Sequence, residues 1–503
     1  MKVVKKVGIA LMIVVGILLA LFLIFVGYLF VMPAHSLFGY RLANYSKNRE
    51  ITTTASVAGL TTENIVLRAG AYQLNLIVTD QENSRVSATM SRDLFGLVKA
   101  SQGDVKYNFE FDHSTNSLVG STYEPDGLKL RGKCYVTVYI PATLIADVDM
   151  VRLETSSGAI TVGADYALEH DNLYLVTESG EIVLDNVDLT GELTAEMHAG
   201  SLTTTERTKL NLTKTNITTS KGKINLTEKG SNKYTFGDFV VDNSSTGYLS
   251  ATEVDSLVYT GNGGKINITT INDVDINAVN TSVTLGKVDA GAYVNITNEG
   301  SISIGEANAY CDLYCANGKI TIDKSNSKLS VSTSSGAVTI KSATEYVDVT
   351  TISGNINVTF AEETGYYDTT NSLRQALITT RSGAVNLVGV DYANVESKSG
   401  SSRVYVSFHN IADAESRITT KGSPVSILAP KGNSPAEDPN GDKYAITIVS
   451  TTTPEIYAGV GRVEHNADNV YQCYAYGADL NTVAKLIINT ESGYVFITNG
   501  ITA

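Results

Sequence analysis

A short phrase of glycine and alternating apolar residues recurs along most of the chain. In each copy, a glycine next to Ser or Asn is followed by one variable residue and then by two apolar residues separated by a third residue, which is polar in most copies. The clearest copies begin at Ser157, Ser179, Asn317, Ser335 and Ser353. Because alternation with a period of two places every second side chain on one face, each copy predicts a β-strand with one buried face.

The spacing of these copies predicts a stack of equal coils. Gly300, Gly318, Gly336 and Gly354 follow one another at intervals of 18 residues. A second alternation has the same interval, and its inward residues are Cys311-Leu313-Cys315, Leu329-Val331-Thr333 and Val347-Val349-Thr351. Self-similarity at a fixed interval is the signature of a repeat architecture. The predicted fold class is all-β, a parallel β-solenoid with coils of about 18–22 residues, and a right-handed β-helix is favoured.

Each predicted coil has an interior and a glycine corner. The interior side chains Ile320, Val338 and Ile356 are expected to lie above one another, and glycine is expected to let neighbouring coils approach closely. Less regular copies occur at Gly200, Gly222, Gly247, Gly264, Gly383, Gly400, Gly422 and Gly493. In one coil, Thr281 stands where glycine is expected.

The amino-terminal segment 7–32 is apolar and has no charged residue. It exceeds the roughly 20 residues that a helix needs to cross a bilayer, so it predicts a transmembrane helix. Lys2, Lys5 and Lys6 precede it, which favours a cytoplasmic amino terminus and an extracellular solenoid. A cleaved signal peptide is the alternative, although such peptides have apolar regions of about 7–15 residues and a small-residue cleavage site.

The patterns divide the chain into seven segments. They are a cytoplasmic stub (1–6), the transmembrane helix (7–32), a membrane-proximal linker (33–63), a β-rich cap (64–141), the solenoid (142–428), a loop-containing insertion or degenerate coils (429–480), and a final coil (481–503).

Composition and cysteine usage narrow the function classes. The chain has 38 Lys and Arg against 52 Asp and Glu, a formal net charge of −14, so no nucleic-acid partner is expected. Cys311 and Cys315 fall in one predicted strand, about 13 Å apart, which is too far for a disulfide. We expect them, like Cys134, to be buried free thiols; Cys473 stays undetermined. No histidine lies at ligand spacing from a cysteine, so neither a metal nor a cofactor is expected.

One outward face carries side chains of the kind used in catalysis or glycan contact. The register places Asp312 and Asp348 two coils apart, with Ser330 between them, and predicts a separation of about 9 to 10 Å. That separation is near the upper end of the range for inverting glycosidases. The adjacent outward column contains Tyr310, Lys328 and Tyr346. Because outward acids and tyrosines are also ordinary solvated surface, we assign no catalytic residue and leave the ligand-binding residues open.

The run 136–141, which ends a strand in Ile-Pro, and the Ser-Gly-x-Ile-x-Val coil within 151–162 resemble the bacterial DUF4097 adhesin family. The resemblance covers about residues 60 to 430 and the final coil, and it implies a β-helical envelope protein with no established reaction. The function hypothesis is a non-catalytic, membrane-anchored cell-surface protein with an adhesin-like or envelope-associated binding or structural role. Its expected partners are the bilayer, through residues 7–32, and a cell-wall or surface glycan or protein. The alternatives are a membrane-tethered carbohydrate-active β-helix enzyme and an accessory protein of an envelope-stress system.

Overall fold

The computed structural model describes residues 14–24, 27, 39–45, 50–80, 85–163, 166–361, 373–400, 402–409, 411, 414–430, 444–456, 462–466, 469–474 and 484–498. In this part of the chain, the helical residues are 14–24, 27 and the short helix Ala142–Ala146. Most of the remainder forms β-strands, so the predicted all-β class is confirmed. The chain forms two compact units. The first consists of Met1–Asn211 and Lys229–Lys233, and the second consists of Leu212–Glu228 and Tyr234–Ala503.

The predicted anchor segment 7–32 lies partly outside the described residues. Its described residues, 14–24 and 27, are helical, and the apolar side chains of 14–24 are exposed. Among the helices that the structure describes, none combines the length and the apolar character needed to cross a membrane.

The strands of the first unit are β1 (Tyr40–Asn44), β2 (Glu50–Ser56), β3 (Asn64–Gly70), β4 (Gln73–Thr79), β5 (Arg85–Ser91), β6 (Leu94–Lys99), β7 (Lys106–Asp112), β8 (Ser117–Tyr123), β9 (Gly127–Arg131), β10 (Tyr135–Pro141), β11 (Met150–Thr155), β12 (Ile160–Val162), β13 (Leu168–Thr177), β14 (Glu181–Leu184), β15 (Val187–Met197) and β16 (Ser201–Thr204). The next strand, β17 (Lys209–Thr219), contributes residues to both units.

Two strands per coil stack in parallel through the first unit. One sheet contains β3, β11, β13 and β15, and the other contains β4, β12, β14 and β16. Thus β3 and β4, within the segment 64–141, already have the two-strand arrangement of a coil. Their other edges are covered by β8 and β10, which pair in turn with the antiparallel strands β7 and β5.

A separate sheet of the first unit contains β1, β6 and β9, all antiparallel. Strand β9 pairs with β6 along one edge, and its side chains Leu128 and Leu130 are 79% and 72% exposed. These two leucines lie two residues apart and therefore project from the same face of the strand.

The strands of the second unit are β18 (Lys223–Leu226), β19 (Tyr234–Asn243), β20 (Gly247–Ile296), β21 (Ser301–Ala307), β22 (Cys311–Cys315), β23 (Ile320–Ser325), β24 (Leu329–Thr333), β25 (Val338–Ala343), β26 (Val347–Thr351), β27 (Ile356–Phe360), β28 (Gln375–Thr380), β29 (Val385–Val390), β30 (Tyr392–Ser397), β31 (Val404–Phe408), β32 (Ser416–Thr420), β33 (Val425–Leu428), β34 (Tyr444–Ser450), β35 (Glu455–Ile456), β36 (Arg462–Asn466), β37 (Val470–Tyr474), β38 (Ala484–Thr490) and β39 (Val495–Thr498).

The predicted stacking is confirmed in the second unit. From β21 to β33 each strand pairs in parallel with the next strand but one, so odd-numbered and even-numbered strands form two sheets. Ile320 pairs with Val338, and Val338 pairs with Ile356. All three side chains are fully buried, as the sequence predicts.

The corner glycines are required because the coils approach closely there. A Cβ atom on Gly318 would lie 1.7 Å from the carbonyl oxygen of Gly300, and one on Gly336 would lie 1.7 Å from that of Gly318. Thr281 occupies the next position in this column, since its carbonyl oxygen faces Gly300. The coils of Gly318 and Gly336 therefore need a glycine to accept the backbone of the coil before them, whereas the coil of Thr281 has none at this position.

At the far end of the second unit, the order in space differs from the order in the chain. Strands β38 and β39 pair with β32 and β33 on one side and with β34 and β35 on the other. The coil made by residues 484–498 is therefore inserted between two coils that precede it in the sequence. The antiparallel strands β37 and β36 extend the sheet beyond β34.

Candidate ligand-binding face

A column of outward side chains crosses five neighbouring even-numbered strands of the second unit. It is formed by Tyr310, Lys328 and Tyr346, which directly precede β22, β24 and β26, and by Gln375 and Tyr392, which begin β28 and β30. We call these five residues the tyrosine strip. The residue after each of them is buried, so the strip faces outward. Its tyrosines recur every second coil, which separates them by about 9.6 Å.

A second column lies two residues further along the same strands. Asp312 pairs with Ser330, and Ser330 pairs with Asp348, so the predicted alignment is confirmed. Positions two residues apart on a strand share a face, so this column lies beside the tyrosine strip. On the preceding coil, Tyr293 pairs with Asp312 and is 46% exposed.

Tyr346 and Asp348 interact at the centre of this face. Burial raises the pKa of the Asp348 carboxyl, and the hydrogen bond from Tyr346 only partly opposes that rise. Burial and the nearby Asp348 carboxylate raise the pKa of the Tyr346 hydroxyl, which therefore stays protonated and able to donate. The pair therefore presents the aromatic ring of Tyr346 with the carboxyl group of Asp348 directly beside it.

The chemistry of the face suits a polyhydroxylated polymer. A tyrosine ring offers a flat apolar surface with a hydroxyl at its rim, and such surfaces stack on the C–H faces of sugar rings. Lys328 supplies donors, Gln375 both donors and acceptors, and Asp312 acceptors, which match sugar hydroxyls. Repetition at the interval of two coils would bring equivalent groups to successive units of an extended chain.

The sequence located only part of this face. It aligned Asp312, Ser330 and Asp348 correctly, because the interval there is a constant 18 residues. Gln375 and Tyr392 were not predicted to join the face. Gly354 and Gly383 are 29 residues apart, so adding the regular interval of 18 residues no longer gives the position that stacks on Tyr346. The alternation of inward residues Ala376, Ile378 and Thr380 is the signal in the sequence that identifies Gln375 as an outward residue.

Buried hydroxyls fix the corners between the sheets that position the face. Thr351 Oγ1 accepts a hydrogen bond of 2.8 Å from the backbone N–H of Gly354. The same bond joins Thr177 to Gly180, Thr219 to Gly222, Thr333 to Gly336, Thr380 to Gly383 and Thr490 to Gly493. In the coil of Gly318, the thiol of Cys315 takes this position. Of these threonines, Thr333 and Thr351 were predicted to face inward, but the hydrogen bond to the corner glycine was not predicted.

The cysteines are placed mostly as predicted. Cys311 and Cys315 lie in one strand, β22, and both are buried free thiols. Cys134 differs, since it is only half-buried, and its Sγ lies 3.3 Å from the carbonyl oxygen of Asp93. Cys473 is buried in β37. Among the described residues, no group of three or more His, Cys, Asp and Glu side chains is arranged to hold a metal ion.

The fold and the repeating corner define a parallel β-solenoid protein. The model of the Toastrack DUF4097 family matches residues 62–255 and 195–372, which together are more than half of the chain. The chain therefore belongs to the Toastrack DUF4097 family, as the resemblance in the sequence implied. A comparison of the sequence with curated proteins found no match.

Two solved structures are among those similar to the chain. One is a "putative cell adhesion protein" from Clostridium sporogenes, which is 8% identical in sequence. The match covers 89% of this chain and 97% of that chain, with a TM-score of 0.15. The other is a "putative adhesin" from Parabacteroides distasonis, with 13% identity, 68% and 97% covered, and a TM-score of 0.21. At these TM-scores neither likeness supports a conclusion about function.

Proposed function

We propose that the chain is a non-catalytic, membrane-anchored cell-surface protein whose solenoid binds a glycan along the tyrosine strip. The observation that carries this proposal is the recurrence of Tyr310, Tyr346 and Tyr392 at every second coil, with polar side chains between and beside them. Tyrosine provides contact area at a low cost in conformational entropy, and it is enriched in binding surfaces.

Two features support a location at the membrane surface. The uncharged segment 7–32 has the length and composition of a membrane anchor. Strand β1 begins at Tyr40, only a few residues later, and belongs to the same sheet as the exposed Leu128 and Leu130 of β9. Exposed leucines on this sheet suit contact with the bilayer interface near the anchor.

A binding measurement with the full chain in detergent micelles tests the glycan proposal. The protein is applied to a glycan array and then titrated with the bound polymers. We expect saturable binding that weakens at least tenfold when Tyr310, Tyr346 and Tyr392 are all replaced by Ala. The matched control is Tyr405→Ala, because Tyr405 is a half-buried tyrosine on β31 in the other sheet. No saturable binding, or equal losses in both variants, would contradict the proposal.

Location is tested separately by protease treatment of intact cells that express the chain. If the solenoid lies outside the cell, added protease removes it while a cytoplasmic marker stays intact. Full protection of the solenoid in intact cells, with cleavage only after lysis, would exclude the proposed orientation.

A carbohydrate-active enzyme is the second candidate, and one observation favours it. The raised pKa of Asp348 is a property of general acids, and Asp312 lies two coils away, at about 9.6 Å. Incubation of the full chain with wall and plant polysaccharides separates the two candidates. Release of reducing ends that is lost in both Asp312→Asn and Asp348→Asn would establish catalysis; binding without any bond cleavage would favour the non-catalytic protein.

A further inference from the structure

A cavity of about 550 Å³ lies in the second unit at the ends of five odd-numbered strands. Residues at or next to the ends of β25, β27, β29, β31 and β33 line it, together with Arg374. Arg374 directly precedes Gln375 of the tyrosine strip, so the cavity adjoins the strip at the corner of the coil.

Arg374 is the unusual residue of this cavity. It is only 6% exposed, and its guanidinium makes no hydrogen bond or ion pair with a described residue. The hydrogen bonds of this residue involve its backbone: the N–H donates to Asp391 Oδ2 at 3.3 Å, and the carbonyl oxygen accepts from the backbone N–H groups of Asp391 and Tyr392. A guanidinium remains protonated at every physiological pH, and burying an uncompensated charge is unfavourable. The cavity therefore holds a permanent cation that lacks a protein counter-ion among the described residues.

Two further basic side chains lie at the cavity. Lys341 and His409 also line it. The neighbouring carboxylates already have partners, since Asp391 lies 3.3 Å from His409 Nδ1 and Asp323 lies 2.7 Å from Lys341 Nζ. Among the described residues that line the cavity, none is acidic. An anion that enters would consequently meet Arg374 without displacing a carboxylate from it.

The remaining walls are apolar or carry hydroxyls. Phe360 and Phe408 provide aromatic surface, and Thr359 and Ser407 provide hydroxyl groups. An arginine fork binds a planar or tetrahedral oxyanion through two parallel hydrogen bonds. A ligand that combines an oxyanion with an organic body would fill such a cavity better than a bare ion, since pockets are mostly apolar with a few placed polar groups.

We propose that this cavity binds the oxyanion of an acidic saccharide, a sugar that carries a carboxylate or a phosphate, with Arg374 as the residue that contacts the charge. The inference deepens the proposed function, because it assigns a charge to the glycan. It also stands on the cavity alone, since small acidic sugars probe Arg374 without engaging the tyrosine strip.

The test is calorimetric titration of the full chain with glucuronate, glucose 6-phosphate, inorganic phosphate and glucose. We expect binding of at least one of the two acidic sugars and none of glucose. Arg374→Gln should weaken that binding at least tenfold, and Arg374→Lys should retain part of it, because lysine keeps the charge and loses the fork. The matched control is Arg403→Gln, which removes an exposed arginine of the same unit that donates to Ser426.

A second measurement separates a ligand-binding arginine from a structural one. Melting of ligand-free Arg374→Met should occur at or above the temperature of the unchanged protein, because the variant removes an uncompensated buried charge. An acidic sugar should raise the melting temperature of the unchanged protein and leave that of Arg374→Met where it is.

The outcomes are distinct. Binding of glucuronate alone identifies the carboxylate source, and binding of glucose 6-phosphate with inorganic phosphate identifies the phosphate source. The proposal is overturned if neither acidic sugar binds, or if Arg374→Gln binds as tightly as the unchanged protein. If the cavity binds these sugars and no polymer binds the tyrosine strip, the proposed function fails while the cavity site stands.

Discussion

Replacement of Thr351 by Val isolates the contribution of one corner hydrogen bond. Thr351 is 3% exposed, and its hydroxyl accepts the backbone N–H of the buried Gly354 at 2.8 Å. Valine has the same shape and the same β-branched preference for strands, so the substitution opens no cavity. What changes is that the N–H of Gly354 loses its acceptor inside the protein.

The magnitude follows from the desolvation of that N–H. Leaving a buried donor without a partner costs about 1–3 kcal/mol. The methyl group that replaces the hydroxyl is also buried, and its burial offsets this destabilisation by at most about 0.8 kcal/mol. We therefore expect Thr351→Val to lower the free energy of unfolding by about 1–2 kcal/mol. Thr350→Val is the matched control, because Thr350 is an exposed neighbour in the same strand and its change should stay within about 0.5 kcal/mol.

Hydrogen exchange is the assay of choice, because stacked coils open locally as well as globally. The amide of Gly354 should exchange faster in Thr351→Val by roughly tenfold, since 1.4 kcal/mol corresponds to a factor of ten. Urea denaturation of the full chain gives the global counterpart. The reasoning is refuted if the Gly354 amide exchanges at the same rate in both valine variants and their unfolding midpoints coincide.

A reciprocal variant checks the sign of the effect. In the coil of Gly318, Cys315 holds the position of the corner threonine, and a thiol is a weak acceptor. Cys315→Thr should therefore slow exchange of the Gly318 amide and raise the unfolding midpoint. A fall in both would show that the corner prefers the larger sulfur atom to a stronger hydrogen bond.

Three further predictions test the packing, the thiols and the acid response. Gly336→Ala should unfold its coil, seen as a loss of protection across β25, because the new Cβ would meet a backbone oxygen at 1.7 Å. At pH 8 a thiol reagent should modify the half-buried Cys134 long before Cys311, since burial raises the pKa of Cys311 to about 12 and little thiolate forms there. Burial would raise the pKa of Glu124, but hydrogen bonds from Arg131 and two other donors outweigh it, so its folded pKa is lowered. The stability it contributes is therefore present above its ordinary pKa of 4.5 and is lost as the pH falls through the folded value, and the melting temperature of Glu124→Gln should depend less on pH in that window.

The regular part of the solenoid could be predicted because a single interval determines both strands of a coil. The 18-residue spacing of Gly318 and Gly336 fixes which residues stack, and alternation fixes which of them face inward. These two constraints are sufficient to predict that Ile320 stacks on Val338 and that Asp312 lies two coils from Asp348. A register error of one residue would have turned every interior side chain outward, so the agreement is specific.

The candidate sites were less accessible to the sequence, because they depend on partners rather than on intervals. Nothing in the local pattern marks Arg374 as buried, since it follows a long interruption and precedes an ordinary strand. The residues of β29, β31 and β33 that line the cavity together with Arg374 come only later in the chain. Tyr392 joins the strip for the same reason, through pairing with Gln375 on the preceding coil.

The strands at the ends of the two units have neighbours that the local sequence pattern does not determine. Alternation states which face of a strand is buried, and it does not state which strand lies alongside. At both ends of the described strands, the neighbouring strands are arranged so that no long parallel edge stays open, because such an edge would pair with other chains. In the first unit β10 and the antiparallel β5 lie beyond β4, and in the second unit β37 and β36 lie beyond β34. The other edge of that last coil is β35, a strand of two residues, and so short an edge offers little template for pairing. Because the coil of residues 484–498 must enter between strands that precede it in the chain, the end of the second unit becomes complete only when the last residues of the solenoid are in place.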